Sequence, residues 1–462
     1  MTLVEAGAWR GPEHYPHSCY GSMRDLMDNW ASTLTVGRAF WPVVQARTMG
    51  GTTVVNSAIC VRTPDDIFDR WTREHGVDSG LREAFAHHQG ALEDELCVEE
   101  VPPQSLGRSS ELAKVGADAA GYASHVMRRY AKGCAGSGRC MTGCVMRRKQ
   151  STNINFVPEV IARGGRVLST APVERVLFER KRAVGVSGRF RHPRGHRAGA
   201  RFEVRARRAV VVAASATHSP ALLLRSRLRS KALGRNFRAH PGTGVFGFYD
   251  DPVDMNIGAT QGWASTAFRT APGFKLETLS LPPEMVLTRI PGGGRKLLER
   301  MSEYRHMAMW VHAVHAQSAG RVHAGPGGAP FVRYSLDKAD MIRFRSGMVQ
   351  LAKTHFAAGA RHVAPGIYGL PWRIGPDDLR LLEDAPLNPR CYVGILSHLF
   401  GGCVMGSDPA RSVCDSYGRV HGVEGLAIAD ASALPTTLGV NPQHTIMAWA
   451  RWVADGLLEQ PV

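Results

Sequence analysis

No stretch of the chain approaches the roughly 20 uninterrupted apolar residues that a membrane-crossing helix needs. The opening Met1-Thr2-Leu3-Val4-Glu5 has neither the basic stretch nor the apolar core of a secretory signal. Cysteine is sparse: nine residues, an odd number scattered over 462, argue against a disulfide framework and for a reducing compartment, so the cytoplasm is the expected location. Repeats and low-complexity tracts are absent. Acidic residues are the scarcer charge, 40 Asp and Glu against 57 Lys and Arg, leaving a formal charge of +17. Such an excess invites a phosphate-binding reading. However, the basic runs at Arg147-Arg148-Lys149 and over 189–208 lie beside apolar strands without interleaved aromatics. A solvated basic surface is expected there, and nucleic acid is not an expected partner. The remaining balance, 44% hydrophobic with 50 Gly and 27 Pro, is that of a globular enzyme with about two or three core-sized units.

The first residues, 2–5, read as a buried strand closed by Glu5 and the turn glycine Gly7. In a dinucleotide-binding βαβ unit an acid at such a strand end meets the adenosine ribose, about 20 residues after a Gly-x-Gly-x-x-Gly loop. Here that loop and its strand would precede Met1. Gly50-Gly51-Thr52-Thr53 with Asn56 is a glycine turn whose amides can approach an anionic or planar ligand. A helix is expected over 154–164, strands near 166–168, 173–178 and 184–186, and a fully buried strand over 208–214. A Leu-rich helix is expected over 220–225. From 241 to 396 the texture changes to scattered aromatics with Pro and Gly punctuation, suggesting a mixed sheet-and-helix unit.

The C-terminal segment returns to the earlier style. Residues 426–430 read as a strand ending in Asp430, and Asn441-Pro442 has cap and first-turn chemistry for a helix with apolar positions at 446, 447, 450, 453, 454, 457 and 458. The start of that helix offers unpaired N–H groups and partial positive charge to an electron-rich ligand. Upstream, His398 lies in Ser397-His398-Leu399-Phe400-Gly401-Gly402, which reads as a loop that holds an imidazole open to a ligand. Neutral imidazole is a natural acceptor for an alcohol proton.

Taken in order, these segments resemble the glucose–methanol–choline (GMC) oxidoreductase family. The resemblance rests on the Glu5 strand end, the Met49 to Asn56 loop, Arg148-Lys149-Gln150-Ser151-Thr152, Ala214 to Pro220, Gly234-Arg235-Asn236 with His240-Pro241, and above all Ser397 to Met447. It implies an α/β architecture: an FAD-binding doubly wound (Rossmann-like) domain, lacking its first strand and glycine loop, with an inserted α+β substrate domain. The expected limits are 1–240 for the first part of the FAD domain, with a lid segment near 61–144, then 241–396 for the substrate domain and 397–462 for the rest of the FAD domain. The implied activity is oxidation of an alcohol CH–OH group by hydride transfer to flavin, with oxygen or another electron acceptor as partner. By position His398 matches the family's proton acceptor and Asn441 the partner that orients the substrate oxygen. His444 is a second candidate partner. The resemblance further places Glu5 at the adenosine ribose, Val173 at the adenine, Gly50, Gly51 and Asn56 along the pyrophosphate and isoalloxazine, Asp430 near the ribityl chain and Pro442 at the ring. The missing N-terminal loop leaves a second expectation open, a truncated, non-catalytic homologue or partner subunit with impaired FAD binding.

Cys134, Cys140 and Cys144 form a C-x5-C-x3-C cluster among small residues. Soft thiolates at such spacing suit an iron–sulfur or zinc site, and the spacing is similar to that of family members carrying an iron–sulfur centre. Structural thiols or a disulfide are the alternative.

Overall fold

The computed structural model describes residues 1–193 and 197–459; residues 194–196 of the basic run and 460–462 lie outside the described residues. In chain order, the elements that build the site are β1 (Thr2–Val4), α1 (Leu81–Glu95), β2 (Arg166–Leu168), β3 (Val210–Val212), α2 (Ser215–Arg225), β4 (Arg235–Phe248), β5 (Phe274–Leu279), β6 (Met307–Val314), α3 (Lys338–Ala357), β7 (Ile395–Phe400), β8 (Leu426–Ile428) and α4 (Gln443–Glu459).

Two parallel pairs join distant parts of the chain. β1 lies beside β2, with Thr2 opposite Arg166, and β3 lies beside β8, with Val210 opposite Leu426. Parallel neighbours require crossover connections, and the β-branched run of β3 against the fully buried β8 is the composition such strands favour. Each pair turns an edge toward one large cavity. Residues 2–6 and 204–214 line it without a gap. Since successive strand residues point to opposite faces, a wall built from every residue in turn is a strand edge rather than a sheet face. Val211 is accordingly 47% exposed. The strand expected to be fully buried over 208–214 thus runs only from Val210 to Val212 and is open to the cavity at its middle residue.

The second body is a ten-stranded, mostly antiparallel sheet. Its spine is β4, which pairs with β6 from Gly242 opposite Ala313 to Phe248 opposite Met307, and with β7, where His240 faces His398. Alternation sorts its residues between two environments. Glu277 and Leu279 of β5, Met309, Val311 and Ala313 of β6, and His240, Gly242 and Gly244 of β4 line the cavity from one face, and Thr243 and His312 reach it as well. On the far side α3 buries Phe344, Met348 and Leu351 in the sheet's core. The expected limits 241 and 396 both fall inside strands, β4 and β7. Gly242, Gly244 and Gly247 reproduce phosphate-loop spacing, yet they lie within β4. There a Cβ on Gly242 would strike the His312 carbonyl and one on Gly247 the His355 ring.

Several element limits differ from the sequence reading. The helix expected over 220–225 begins at Ser215, with Pro220 inside it. The turn is held from within, where the Ala214 N–H reaches Ser219 Oγ of the same helix, and from outside, where the Ser215 N–H reaches Asp430. In the segment 61–144, α1 packs along α4, covering the C-terminal helix. Among the described residues no helix is long and apolar enough to cross a membrane.

Candidate active site

The cavity, about 2870 Å³, lies between the two strand edges, the substrate-side sheet face and the start of α4. Both side chains singled out for chemistry open on it: His398 from β7 and Asn441 from the turn into α4. His398 is in a strand, not the loop expected. The reason is tertiary: the long β4 continues past its pairing with β6 and supplies a ladder for residues 395–400. The strand stops at Gly401, where φ is +74° and a Cβ would overlap the Asn236 carbonyl oxygen.

His398 Nδ1 lies 3.2 Å from Nδ1 of His240, a buried imidazole on the neighbouring strand. Backbone N–H groups of Leu438 and Gly439 donate to His240 Nε2 at 3.1 and 3.0 Å. Neutral His240 therefore carries its proton on Nδ1, facing His398. Burial, reinforced by the charge of Lys275 and opposed by Glu277, pulls the His398 pKa down to about 3, so the ring is neutral at physiological pH. Because His398 is half-buried at the cavity wall, burial acts on it less fully than on His240.

Asn441 Oδ1 accepts a hydrogen bond from Lys275 Nζ at 2.5 Å. Lys275 is 2% exposed and pairs with Glu277, two residues along β5 on the same face; Glu277 also accepts from Gln261 Nε2 at 3.0 Å. Burial drives the Lys275 pKa down against the pull of Glu277. Burial would raise the Glu277 carboxyl, but the adjacent ammonium outweighs it and holds it low. Sequence reasoning missed His240, Gln261, Lys275 and Glu277 as site residues. The available signal was Lys275 and Glu277 two apart in the otherwise uncharged run Phe274–Leu279, a charged face on a buried strand.

The other expected ligand-contact residues fall into two groups. Glu5, Gly51, Asn56, Val173, Asp430 and Pro442 line the cavity. Glu5 takes the Gly7 N–H at 2.6 Å, and burial raises its carboxyl despite that bond and Arg47. Gly51 has φ +56°, and a Cβ there would meet nothing within 4 Å, so its backbone is open to the cavity. Asn56 ties the glycine turn to the first turn of α4 by donating from Nδ2 to Gln443 Oε1 at 2.5 Å. The Asp430 oxygens are occupied by the Ser215 and Ser432 N–H groups and the Ser219 hydroxyl, which makes it a clasp between α2 and the end of β8. Gly50 shapes the turn instead, at φ +94°, where a Cβ would come within 2.8 Å of Asn153 Cβ. His444 is turned away from the cavity into the core, 2.5 Å from the Tyr130 hydroxyl and 3.2 Å from Glu93 Oε1.

The three clustered cysteines are free thiols, so the disulfide alternative is not realised. The buried Arg129 guanidinium donates to Cys140 Sγ at 2.8 Å and reaches Cys134 Sγ at 3.7 Å. Lys149 binds the Cys140 carbonyl. Burial opposes the Cys140 thiolate, but Arg129 and Lys149 outweigh it and bring its pKa to about 7. Among the described residues these sulfurs do not converge on a single ion, and the cations beside them do not support the iron–sulfur reading.

Two family models described as GMC oxidoreductase match residues 23–242 and 316–450. A GMC-type oxidoreductase of Mycobacterium tuberculosis is 35% identical over 457 residues, covering 98% of this chain and 71% of that protein. Long-chain-alcohol oxidase FAO1 of Arabidopsis thaliana is 24% identical over 494 residues, covering 99% of this chain and 63% of the plant protein. Among solved structures, pyridoxine 4-oxidase from Mesorbium loti superposes with a TM-score of 0.72 at 17% identity over 100% of this chain and 94% of the other. Formate oxidase from Aspergillus oryzae superposes with a TM-score of 0.72 at 15% identity, covering 99% and 94%. These likenesses agree with a Rossmann-like FAD-binding fold joined to a substrate domain.

Proposed function

Since the chain belongs to the GMC oxidoreductase family, we propose that it oxidises the CH–OH group of an apolar alcohol with FAD held in the central cavity and oxygen or another carrier as final electron acceptor. The observation that carries this reading is the convergence of His398 and Asn441 on one cavity together with Glu5, Gly51, Val173 and Pro442.

The residues fit the cofactor. In this reading the acid after β1 would meet the ribose, Val173 the adenine, and the open Gly51 backbone with Asn56 the pyrophosphate and ring edge, while the N–H groups beginning α4 suit an electron-rich ring. Bound there, FAD supplies the acceptor for the hydride leaving the alcohol carbon. The substrate side of the cavity is walled by Leu279, Leu281, Met285, Met309, Val311 and Ile395. An apolar chain fits that wall, and the likeness to a long-chain-alcohol oxidase points the same way.

The protein's own groups handle the hydroxyl. Asn441 donates to the alcohol oxygen and His398 takes its proton; an amide cannot act as a base at neutral pH. His398 Nδ1 faces His240, so Nε2 is the nitrogen left for substrate. Presenting a lone pair there requires His398 to carry its proton on Nδ1 and His240 to carry its own on Nε2. That exchange leaves the buried Leu438 and Gly439 N–H groups without their acceptor, at about 1–3 kcal/mol each. At the lower end of that cost the loss is roughly 30-fold, below the ~10²–10⁴ that a positioned base contributes.

Replacing His398 by Ala is expected to lower turnover by about 10²–10⁴-fold while FAD stays bound. Turnover equal to wild type in a flavin-loaded variant removes His398 from the mechanism.

A further inference from the structure

A carboxamide has two ends of nearly equal size, and only hydrogen bonding decides which one faces a ligand. At Asn441 that decision is made by Lys275. An ammonium group has donors only, so the end it meets at 2.5 Å must be the oxygen, and the NH₂ end is left for the cavity. We propose that Lys275, held in place by Glu277 and through it by Gln261, is a positioning residue that locks the Asn441 amide with its N–H toward the substrate oxygen. This inference rests on the alcohol-oxidising reading of the same cavity and adds residues that the family resemblance did not supply.

The energetics favour a functional reading of the pair. A buried lysine and a buried glutamate are costly to desolvate, and apolar residues of similar volume are often as stable or more so in such places. Here both are nearly inaccessible, 2% and 8% exposed, on a strand whose neighbours are apolar. The set is closed from end to end: Gln261 donates to Glu277, Lys275 donates to Glu277, and Lys275 donates to Asn441. What the ion pair provides that a Leu and a Met would not is a fixed donor aimed at Asn441 Oδ1. It also places a positive charge near the oxygen that loses a proton, where a preorganised charge acts most strongly on the transition state.

The same ammonium acts on His398. The charged and titratable groups around this set are Glu277 on β5 itself, His398 on β7, His240 on β4 beside His398, and His125 from the strand His125–Val126, which feels Glu277. Lys275 disfavours an imidazolium at His398 and Glu277 favours it, with Lys275 the larger influence. Removing both charges therefore makes His398 easier to protonate.

The test compares wild type with Lys275→Met/Glu277→Gln, which leaves no unpaired buried charge, and with Lys275→Gln, which keeps a neutral donor for Asn441 Oδ1. Both are measured beside His398→Ala and Asn441→Ala on flavin-loaded protein with a primary-alcohol series. The double variant is expected to lose about 100-fold in kcat/KM, close to the loss in Asn441→Ala. Lys275→Gln is expected to recover at least part of it. Histidine-labelled, flavin-free protein gives a readout independent of turnover: in an NMR pH titration the His398 resonance should stay neutral to lower pH in wild type than in the double variant. If the double variant does not fold, Lys275→Gln alone decides by keeping more kcat/KM than Asn441→Ala while shifting the His398 titration upward. The proposal is overturned if the charge-free variant keeps wild-type kcat/KM or leaves the His398 titration unmoved. Loss in the Lys275 variants with full turnover in His398→Ala would sink the base assignment and leave the positioning role standing. Full turnover in the Lys275 variants with an inactive His398→Ala would do the reverse.

Discussion

At Gly401, three residues past His398, the chain turns in the left-handed region and brings its α-carbon against the Asn236 carbonyl. A side chain there incurs both the positive-φ cost of about 1–2 kcal/mol and a backbone clash that only movement of β4 or β7 relieves. Gly401→Ala is therefore expected to lower Tm by several degrees and to reduce turnover, since the strand end that moves carries His398. Gly51→Ala is the control: its φ is also positive, but its Cβ would meet open space, so its Tm should fall less. Equal melting temperatures for Gly401→Ala and wild type would contradict this account of the strand end. Residue by residue, the site was partly legible in the sequence. His398 and Asn441, which share the cavity, were singled out because glycine turns and a helix start mark their surroundings. Lys275, Glu277 and His240 were not, because each sits mid-strand, where only the third dimension reveals that a charged or polar face has been turned inward.

Among elements, helices with a clear stop and strands with apolar runs were readable. The helix Thr152–Ala162 and the strands β2, β3 and β8 lie within a few residues of expectation, since local composition suffices where a β-branched or apolar run is bounded by turn residues or a helix is stopped by paired glycines, although only β8 is buried throughout. Two elements escaped for a shared reason. β7 looked like a loop because Ser397, His398 and the following glycines have weak strand character, yet β4 supplies its hydrogen-bond partners. α2 looked shorter because Pro220 suggested a start; Asp430, from the end of β8, holds the earlier turn from outside. In both cases a tertiary partner overrode local propensity. The substrate sheet was expected only as a texture, since the register linking residues 35–36, 125–126 and 235–400 has no local signature.

The molecule as a whole combines a parallel-strand body and a large antiparallel sheet around one cavity, and its interior holds an unusual load of neutral imidazole. His240, His312, His355 and His444 are each no more than 2% exposed. Burial is the main cause that lowers all four: His312 and His355 to about 3, His444 to about 4, and His240 well below its ordinary value. His312 has no hydrogen-bond partner on either ring nitrogen and packs edge-on to Phe344. The unfolded chain binds protons at these residues near pH 6.5 and the folded chain does not. Their stabilising contribution is thus complete above that pH and is lost as pH falls, each by up to about 1.4 kcal/mol per pH unit. Tm should drop steeply from pH 7 to pH 5. A flat Tm across that range would mean that these rings are protonated in the folded protein.

If one cavity brings FAD and an alcohol together under His398 and Asn441, the flavin itself reports it when flavin-loaded protein is mixed anaerobically with primary alcohols of increasing chain length and the visible absorbance of the oxidised flavin is followed in a single turnover. The account expects that absorbance to bleach as one equivalent of aldehyde forms, fastest with apolar chains. Protein that retains its flavin but is bleached by no alcohol in the series would contradict it.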